Sequence, residues 1–326
     1  MTKAIRVHEH GGPEALKYED VEVGEPGPGE VRIRHAAIGL NFLDCYFRSG
    51  LYPAPNGLPL IPGNEAAGSV VAVGEGVDDL AAGDRIAYAG PIGAYAGERV
   101  IAADRIVKVP DAIADEQAAA MMLKGMTAEY LLRRTFKVKP GDTILFHAAA
   151  GGVGLILGQW AKHIGATVIG TAGSSEKVEL AKAHGYDHVI DYSKDDFVEA
   201  VKDITGGKKC DVVYDAVGKD TFEGSLDCVR PLGMIVSFGQ SSGAIPPFNI
   251  GVLSQKGSLF LTRPTLFTYI AKRDDLVQSA NALFGVVSSG AVSIEVNQHY
   301  PLADAGMAHS DLEARRTTGA TVLIPG

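Results

Sequence analysis

From about residue 140 the chain repeats a single pattern: a short apolar, β-rich run, then a turn, then, after most of the runs, a helix-like stretch. The runs are "TILFH", "TVIGTA", "HVID", "DVVYDAVG", "GMIVSFG" and "SLFLTRP", and between most of them lie stretches such as "SEKVELAKAHG" and "KDDFVEAVKDITGG". Strand alternating with helix predicts a parallel, doubly wound sheet of six strands, an α/β fold.

The first repeat, "GDTILFHAAAGGVGLILGQWAK" (Gly141–Lys162), reads as a strand, a glycine-rich turn and a helix. A dinucleotide fingerprint at this place has the form G-x-G-x-x-G. With its last glycine on Gly154 and its second on Gly151, Ala149 stands at the first position. Gly151 and Gly152 let backbone N–H groups approach a pyrophosphate, and Gly154 lets the helix sit close on the sheet. Val153, Ile156, Leu157, Trp160, Ala161 and Ile164 form the apolar face. The helix N-terminus offers the positive dipole end to a phosphate. An NAD site carries Asp or Glu about 20 residues further on, at the end of the second strand. Here that strand ends "GTAGSSEK", with no acid before Ser174 and Ser175 and with Lys177 following. Hydroxyls plus a cation suit a 2′-phosphate, which predicts NADPH.

Before residue 124 the texture differs. "EVRIRHAAIG" alternates, and "AAGSVVAVGEGV" and "GDRIAYAG" are apolar runs between turn signals, as in a small irregular β-barrel. "DEQAAAMMLKGMTAEYLLRRTF" reads as helix. The last 60 or so residues hold one helix, "RDDLVQSANALFGVVSSG", and short strands ending "GATVLIPG". The expected organisation is a catalytic domain over 1–124, a Rossmann cofactor domain over 125–265, and a return to the first domain over 266–326.

The 326 residues carry 30 Lys and Arg against 39 Asp and Glu, a net charge of −9. Nucleic acid is not expected as a partner, because phosphate binding rewards basic surfaces and no basic run of five or more occurs. Three distant cysteines, Cys45, Cys210 and Cys228, make no disulfide framework. The start "MTKAIRVHEHGG" has no apolar core and no run of 18 apolar residues occurs, so the expectation is a cytoplasmic protein without membrane contact.

The glycine turn also resembles the signature of the zinc-free quinone oxidoreductases, the zeta-crystallin branch of the medium-chain dehydrogenase/reductase superfamily. Asp142, Leu145, Ala149, Ala150, Gly151, Gly152, Gly154, Gln159 and Lys162 all have counterparts there. "NFLDCYFRSGLYP", "PGNEAAG", "GAYAGERV", "LKGMTAEYLLRRTF", "VVYDAVG", "VSFGQSSG" and "LTRPTL" extend the resemblance over nearly the whole chain. It implies a GroES-like irregular barrel beside the Rossmann domain, and NADPH-dependent reduction of a small-molecule quinone by a homodimer. It implies that Asn41, Tyr46, Tyr52 and Tyr130 lie at the nicotinamide and substrate cleft, with Asn41, Tyr46 and Tyr52 as the catalytic set. Cofactor contacts would come from Gly151, Gly152, Val153, Gly173, Ser174, Lys177 and Tyr192 at the phosphates and adenosine. Val217, Phe238, Gly239, Gln240, Ser241, Arg263 and Thr265 would line the nicotinamide end, and Arg316 would reach back from the tail.

Several of these residues also have structural readings. Tyr46 and Tyr52 are residues that pack a barrel rim, Asn41 suits a turn, and Tyr192 suits a loop cap. Arg263 suits a charge on an edge strand, and Arg316 a cation at a helix end.

Zinc dehydrogenases of the same superfamily carry metal-binding Cys or His near Asn41, at the place of Asn64, and near the Lys124–Met126 turn; here these ligands are gone, and residues 85–120 hold no Cys. No metal is therefore expected. His8 and His10 would share an exposed strand face, and His184 and His188 a loop. Two other functions stay open: reduction of activated C=C bonds in alkenals or enones, and a crystallin-like protein that binds NADPH without turnover. The strand in "KGSLFLTRP", with no following helix to cover its edge, supports self-pairing into a dimer.

Overall fold

The computed structural model describes all 326 residues and divides into two units. One comprises Thr127–Tyr269 and Gly285–Ser293; the other comprises Met1–Met126, Ile270–Phe284 and Ile294–Gly326.

The first of these units contains the six apolar runs as six strands: β1 (Thr143–Phe146), β2 (Thr167–Ala172), β3 (His188–Asp191), β4 (Cys210–Asp215), β5 (Val229–Ser237) and β6 (Phe260–Thr262). They form a single sheet in the order β3-β2-β1-β4-β5-β6, every pairing parallel. Helices cover the strands because parallel neighbours need crossovers. Leu145, Ile169, Ile190, Val213 and Ile235, one from each of the first five strands, are buried in one core with Phe222 and Leu226. Strand order reverses between β1 and β4, which is where open α/β sheets bind ligands, beyond the carboxyl ends of the strands. His188 opens β3, so it is not the loop residue that its neighbouring Gly185 suggested. The helix Gly152–Ile164 is buried more fully than an amphipathic reading implies. Leu155 and Gly158 are buried along with Ile156, Leu157, Trp160 and Ala161, whereas Val153 and Ile164 are only half-buried.

The other unit is built on a seven-stranded mixed sheet. Its spine is Glu30–Gly39 against Glu65–Val73, antiparallel, continued by Arg85–Ala89. The C-terminal strand Ala320–Ile324 pairs with the other edge, placing Val322 opposite Gly39 and Leu323 opposite Ile38. The tail thus folds with the N-terminal residues. Thr2–Val7 and Leu16–Val21 make a separate ribbon. That strand stops at Val7, and His8 binds Glu19 at 3.2 Å, so His8 and His10 share no strand face. Ile33, Ile38, Ile86, Tyr88, Tyr95 and Leu323 are part of its core.

Gly39 shows why the sequence needs a glycine there. A Cβ would lie 2.3 Å from Glu65 Oε1 and 2.4 Å from the Ala119 carbonyl. A bare Cα lets a buried carboxylate stand against the strand. The helix Phe42–Ser49 starts beside it, after extended Asn41, whose N–H donates to Asp44 Oδ2 at 2.9 Å, and ends at left-handed Gly50.

Candidate functional site

In the Rossmann unit the turn after β1 is drawn tight. Ala148 takes φ 64°, a left-handed conformation that costs a non-glycine residue about 1 kcal/mol or more. Gly151 has φ −80°, so the positive φ that the fingerprint reserves for glycine falls on Ala148. Gly154 does what the sequence predicted, since a Cβ there would meet the Ala149 and Ala148 carbonyls at 2.4 and 2.6 Å. No side chain caps the helix at Gly151. The N–H groups of Gly152 and Val153 therefore belong to a helix end whose donors have no intrahelical acceptor, the arrangement that receives an anion.

At the end of β2, Ser174 caps the next helix, its Oγ accepting from Lys177 N at 3.4 Å. Lys177 is half-buried in the first turn. Tyr192, exposed at the end of β3, brings its hydroxyl to 2.4 Å from where a Gly173 Cβ would stand. Gly173, Ser174, Lys177 and Tyr192 therefore gather around one strand end. Sequence reading missed Lys194, whose Nζ donates to Ser175 Oγ at 2.7 Å and pairs with Asp191 at 3.0 Å.

At the opposite side of the sheet, Val217 N donates to Asp215 Oδ1 at 2.8 Å. Phe238 N donates to the Asp215 carbonyl at 2.9 Å, and the Phe238 ring packs on Phe146. Arg263 does more than charge an edge. Its Nη1 donates to Gly239 O at 2.6 Å and to Ser237 O at 3.2 Å, and Nη2 donates to Gln240 Oε1 at 3.4 Å. It fixes the loop holding Gly239, Gln240 and Ser241, whose N–H bonds the Ala216 carbonyl. Thr265 is exposed just beyond. Tyr130 is buried and stacked on Tyr269 at 4.4 Å between centroids, and burial pushes its phenol well up.

The other unit holds a buried polar centre. Asn41 Nδ2 donates to Glu65 Oε1 at 2.9 Å; Lys124 Nζ pairs with the same oxygen, and Leu123 N donates to Oε2 at 2.7 Å. Glu65 is 0% and Lys124 5% exposed. Asp44 Oδ2 accepts from Asn41 N and from Tyr95 Oη at 3.0 Å, while Oδ1 is buried without a partner. Burial pushes the Asp44 carboxyl up to about 7 against these donors. Tyr95 Oη also contacts His309 Nε2 at 3.0 Å, and burial holds His309 down at about 3. Tyr46 and Tyr52 lie next to this centre in sequence, their rings 5.2 Å apart, with Tyr52 also edge-on to Phe47. Arg316 is held within its own unit, its Nε donating to Asp311 at 2.8 Å.

Glu65 and Lys124 were not singled out by sequence as site residues. The signals were there: a glycine at 39 that nothing local requires, and a lysine in the otherwise apolar "AAAMMLKGM". The places where zinc dehydrogenases carry metal ligands hold an amide donating to Glu65 (Asn41), an amide donating to the Gly90 carbonyl (Asn64) and an ammonium (Lys124). Donors of this kind do not fit zinc, which takes thiolate, imidazole or carboxylate.

The chain matches the alcohol dehydrogenase GroES-like domain over residues 27–135 and the zinc-binding dehydrogenase domain over 152–279. It is 56% identical over 326 residues to a quinone oxidoreductase of Pseudomonas aeruginosa, covering all of both chains. It is 47% identical over 331 residues to a 2-haloacrylate reductase of a Burkholderia species, covering 100% of this chain and 99% of the other. Among solved structures, the Escherichia coli quinone oxidoreductase complexed with NADPH matches it with a TM-score of 0.97 at 51% identity, over 99% of this chain and 100% of that one. Full-length identity at this level, on a GroES-like and a Rossmann-type domain, establishes that the chain belongs to the quinone oxidoreductases of the medium-chain dehydrogenase/reductase superfamily.

Proposed function

We propose that the protein is an NADPH:quinone oxidoreductase that works without a metal. The observation that carries the reading is the uncapped helix end behind the Gly151–Gly154 turn, paired with a second strand that leads to Ser174 and Lys177 instead of an acid. When bound, NADPH supplies a hydride. This chain's contribution is to hold the cofactor and orient the quinone.

Gly151, Gly152 and Val153 face the pyrophosphate with their backbone, and the two glycines bring no Cβ to it. Gly173, Ser174, Lys177 and Tyr192 take the adenosine and its 2′-phosphate, with Lys194 as a second cation nearby. Tyr130, Val217, Phe238, Gly239, Gln240, Ser241, Arg263 and Thr265 take the nicotinamide end, and Arg316 completes the cofactor set. Asn41, Tyr46 and Tyr52 act on the quinone. In this assignment residues 1–124 and 266–326 form the catalytic domain and 125–265 the NADP domain.

A second reading, reduction of activated C=C bonds, is favoured by the 2-haloacrylate reductase at 47% identity. Such a reaction needs a proton at the carbon next to the one receiving hydride, and the Tyr46 or Tyr52 hydroxyl is of the right type to deliver it. Spectrophotometric NADPH oxidation over a panel of quinones, enones and 2-haloacrylates separates the readings. Turnover of quinones alone supports the first and turnover of alkenes alone the second; NADPH binding without any turnover leaves a carrier protein.

The protein is further proposed to act as a homodimer. Strand β6 is the sheet edge, and its Phe260 is 58% exposed. An unpaired apolar edge invites a two-fold copy of itself. A monomer mass by light scattering at micromolar concentration refutes this. Cys45, Cys210 and Cys228 are free and buried, which suits the reducing cytoplasm. No helix is long and apolar enough to cross a membrane.

A further inference from the structure

The Rossmann unit carries a buried polar chain that the cofactor assignment leaves unused. His147 directly follows β1 and is fully buried. Its Nδ1 lies 3.0 Å from Thr171 Oγ1 on β2, and its Nε2 lies 3.0 Å from Ser225 Oγ on the helix Phe222–Cys228. Ser225 Oγ donates to Asp215 Oδ2 at 2.9 Å. Asp215 Oδ1 in turn accepts from Val217 N at 2.8 Å and Gly218 N at 3.0 Å, and Thr221 Oγ1 donates to the same carboxylate.

The directions of these bonds fix the protons. A hydroxyl has one hydrogen. Ser225 gives its hydrogen to Asp215, so its oxygen accepts at the contact with His147 and Nε2 carries the ring hydrogen. Nδ1 is then bare and accepts from the Thr171 hydroxyl. The ring is therefore a neutral imidazole with both nitrogens engaged, consistent with a burial that lowers its pKa. Phe197 closes the site edge-on at 5.0 Å.

The position of the chain gives it meaning. Thr171 precedes the loop of Gly173 and Ser174, His147 precedes left-handed Ala148 and the glycine turn, and Asp215 precedes Val217 and Gly218. Backbone bonds run alongside, from His147 N to Tyr214 O at 3.1 Å and from Ala149 N to Thr171 O at 2.9 Å. Strained backbone persists only where its surroundings over-determine it, and His147 is pinned through both its backbone and its ring.

We propose that His147 is a positioning residue of the cofactor site: its neutral ring ties the ends of β2, β1 and β4 together, and so holds the adenosine loop, the glycine turn and the 217–218 loop in the conformation that binds NADPH. The inference rests on the NADPH reading above.

The test is NADPH titration followed by fluorescence of Trp160, the single tryptophan, together with thermal unfolding. His147→Phe keeps a ring of similar size against Phe197 and removes both hydrogen bonds. It should raise Kd for NADPH roughly five- to tenfold, the effect of leaving buried partners unsatisfied. His147→Gln, which can still donate to Ser225, should recover part of the loss. Neither variant should change KM for the quinone. If His147→Phe does not fold, Thr171→Val and Ser225→Ala each cut one link, and each should raise the same Kd by a smaller factor. Wild-type Kd in a folded variant with a lowered Tm would make His147 a packing residue and overturn the inference. No NADPH binding by the unaltered protein would overturn the cofactor reading, and the inference with it.

Discussion

The two units arrange their polar chemistry in opposite ways. In the Rossmann unit the candidate residues lie at strand ends and loop edges, and much of the proposed cradle is backbone: the Gly152 and Val153 N–H groups and the loop that Arg263 fixes. In the other unit the polar groups are side chains packed out of water, with Glu65, Lys124, Asp44, Asn41, Tyr95 and His309 in one hydrogen-bonded centre. A cradle of backbone tolerates exchange of most neighbouring side chains, provided the glycines stay. A buried charged centre tolerates little, because each member is the solvation of another. Damage should therefore show as lost affinity in the first unit and as lost stability in the second.

The harshest test of that contrast is Lys124→Met. It leaves Glu65 buried with two neutral donors and no counter-charge. Removing one partner of a buried pair costs about 3–5 kcal/mol, and chemical denaturation should read a loss of that size. The Lys124→Met/Glu65→Gln double variant should lose less than the single one, since no unpaired charge remains. NADPH affinity of the folded fraction should not move. A single variant as stable as the double would show that Glu65 finds other solvation, and the contrast would fail.

The converse test is Lys177→Ala. A hydrogen bond to a charged group is worth about 1.5–3 kcal/mol, so NADPH binding should weaken roughly 10- to 150-fold, toward the low end for a half-exposed lysine. NADH binding and unfolding stability should stay put. Equal losses for both cofactors would make Lys177 a support of the loop instead. Lys194, on Ser175, is the next residue to replace if neither cofactor is affected.

The same contrast decides what could be read from the sequence. The six strands, the glycine turn and Lys177 obey local rules of period and spacing, so they were legible within windows of 20 residues or so. Even there the local rule erred by a residue or two. It set Ala149 at the fingerprint's first position, tolerable there if no positive φ is needed, and the left-handed residue is its neighbour Ala148. It read His188 as loop, although β3 already begins at that residue. The buried centre follows no local rule. Asn41 meets Glu65 across 24 positions, Glu65 meets Lys124 across 59, and Tyr95 meets His309 across 214. Asn41 was reached through the resemblance, and its partners were not, because only the fold brings them together.

A smaller effect is expected at Tyr52. Asn41→Ala is a poor probe of turnover, since it also strips a donor from buried Glu65. Tyr52→Phe is cleaner, because the ring contacts with Tyr46 and Phe47 survive. If the hydroxyl contacts the quinone, kcat/KM should fall by roughly 2- to 13-fold, the worth of one neutral hydrogen bond, with Kd for NADPH unchanged. Unaltered kinetics would leave Tyr52 as a packing residue of the helix end.

The smallest effect is a slope in the pH dependence of stability, and it tests whether the buried centre is electrostatically stressed. Asp44 is raised from 3.8 to about 7 in the folded protein. Between those values the folded state binds more protons than the unfolded one, so stability falls as pH rises through about 7. His35 and His309 are lowered from 6.5 to about 4 and about 3. Between those values and 6.5 the unfolded state binds more protons, so these groups make stability rise with pH. The two trends oppose each other, and because the unfolded histidines are still half-protonated at pH 6.5, their contribution fades only as pH rises past about 7.5. Between pH 6.5 and 8 the protein should lose a little under about 1 kcal/mol from this one group. Asp44→Asn keeps an oxygen for Asn41 N and Tyr95 Oη and cannot ionise. Relative to the unaltered protein it should gain a little under about 1 kcal/mol over that interval, its own stability rising there with the histidines, and it should lose stability more steeply on acidification, with the histidines unopposed. Denaturant unfolding at a series of pH values reads both limbs. Parallel curves for the two proteins would mean that Asp44 stays in one protonation state throughout, and that the centre is less sealed from water than its burial indicates.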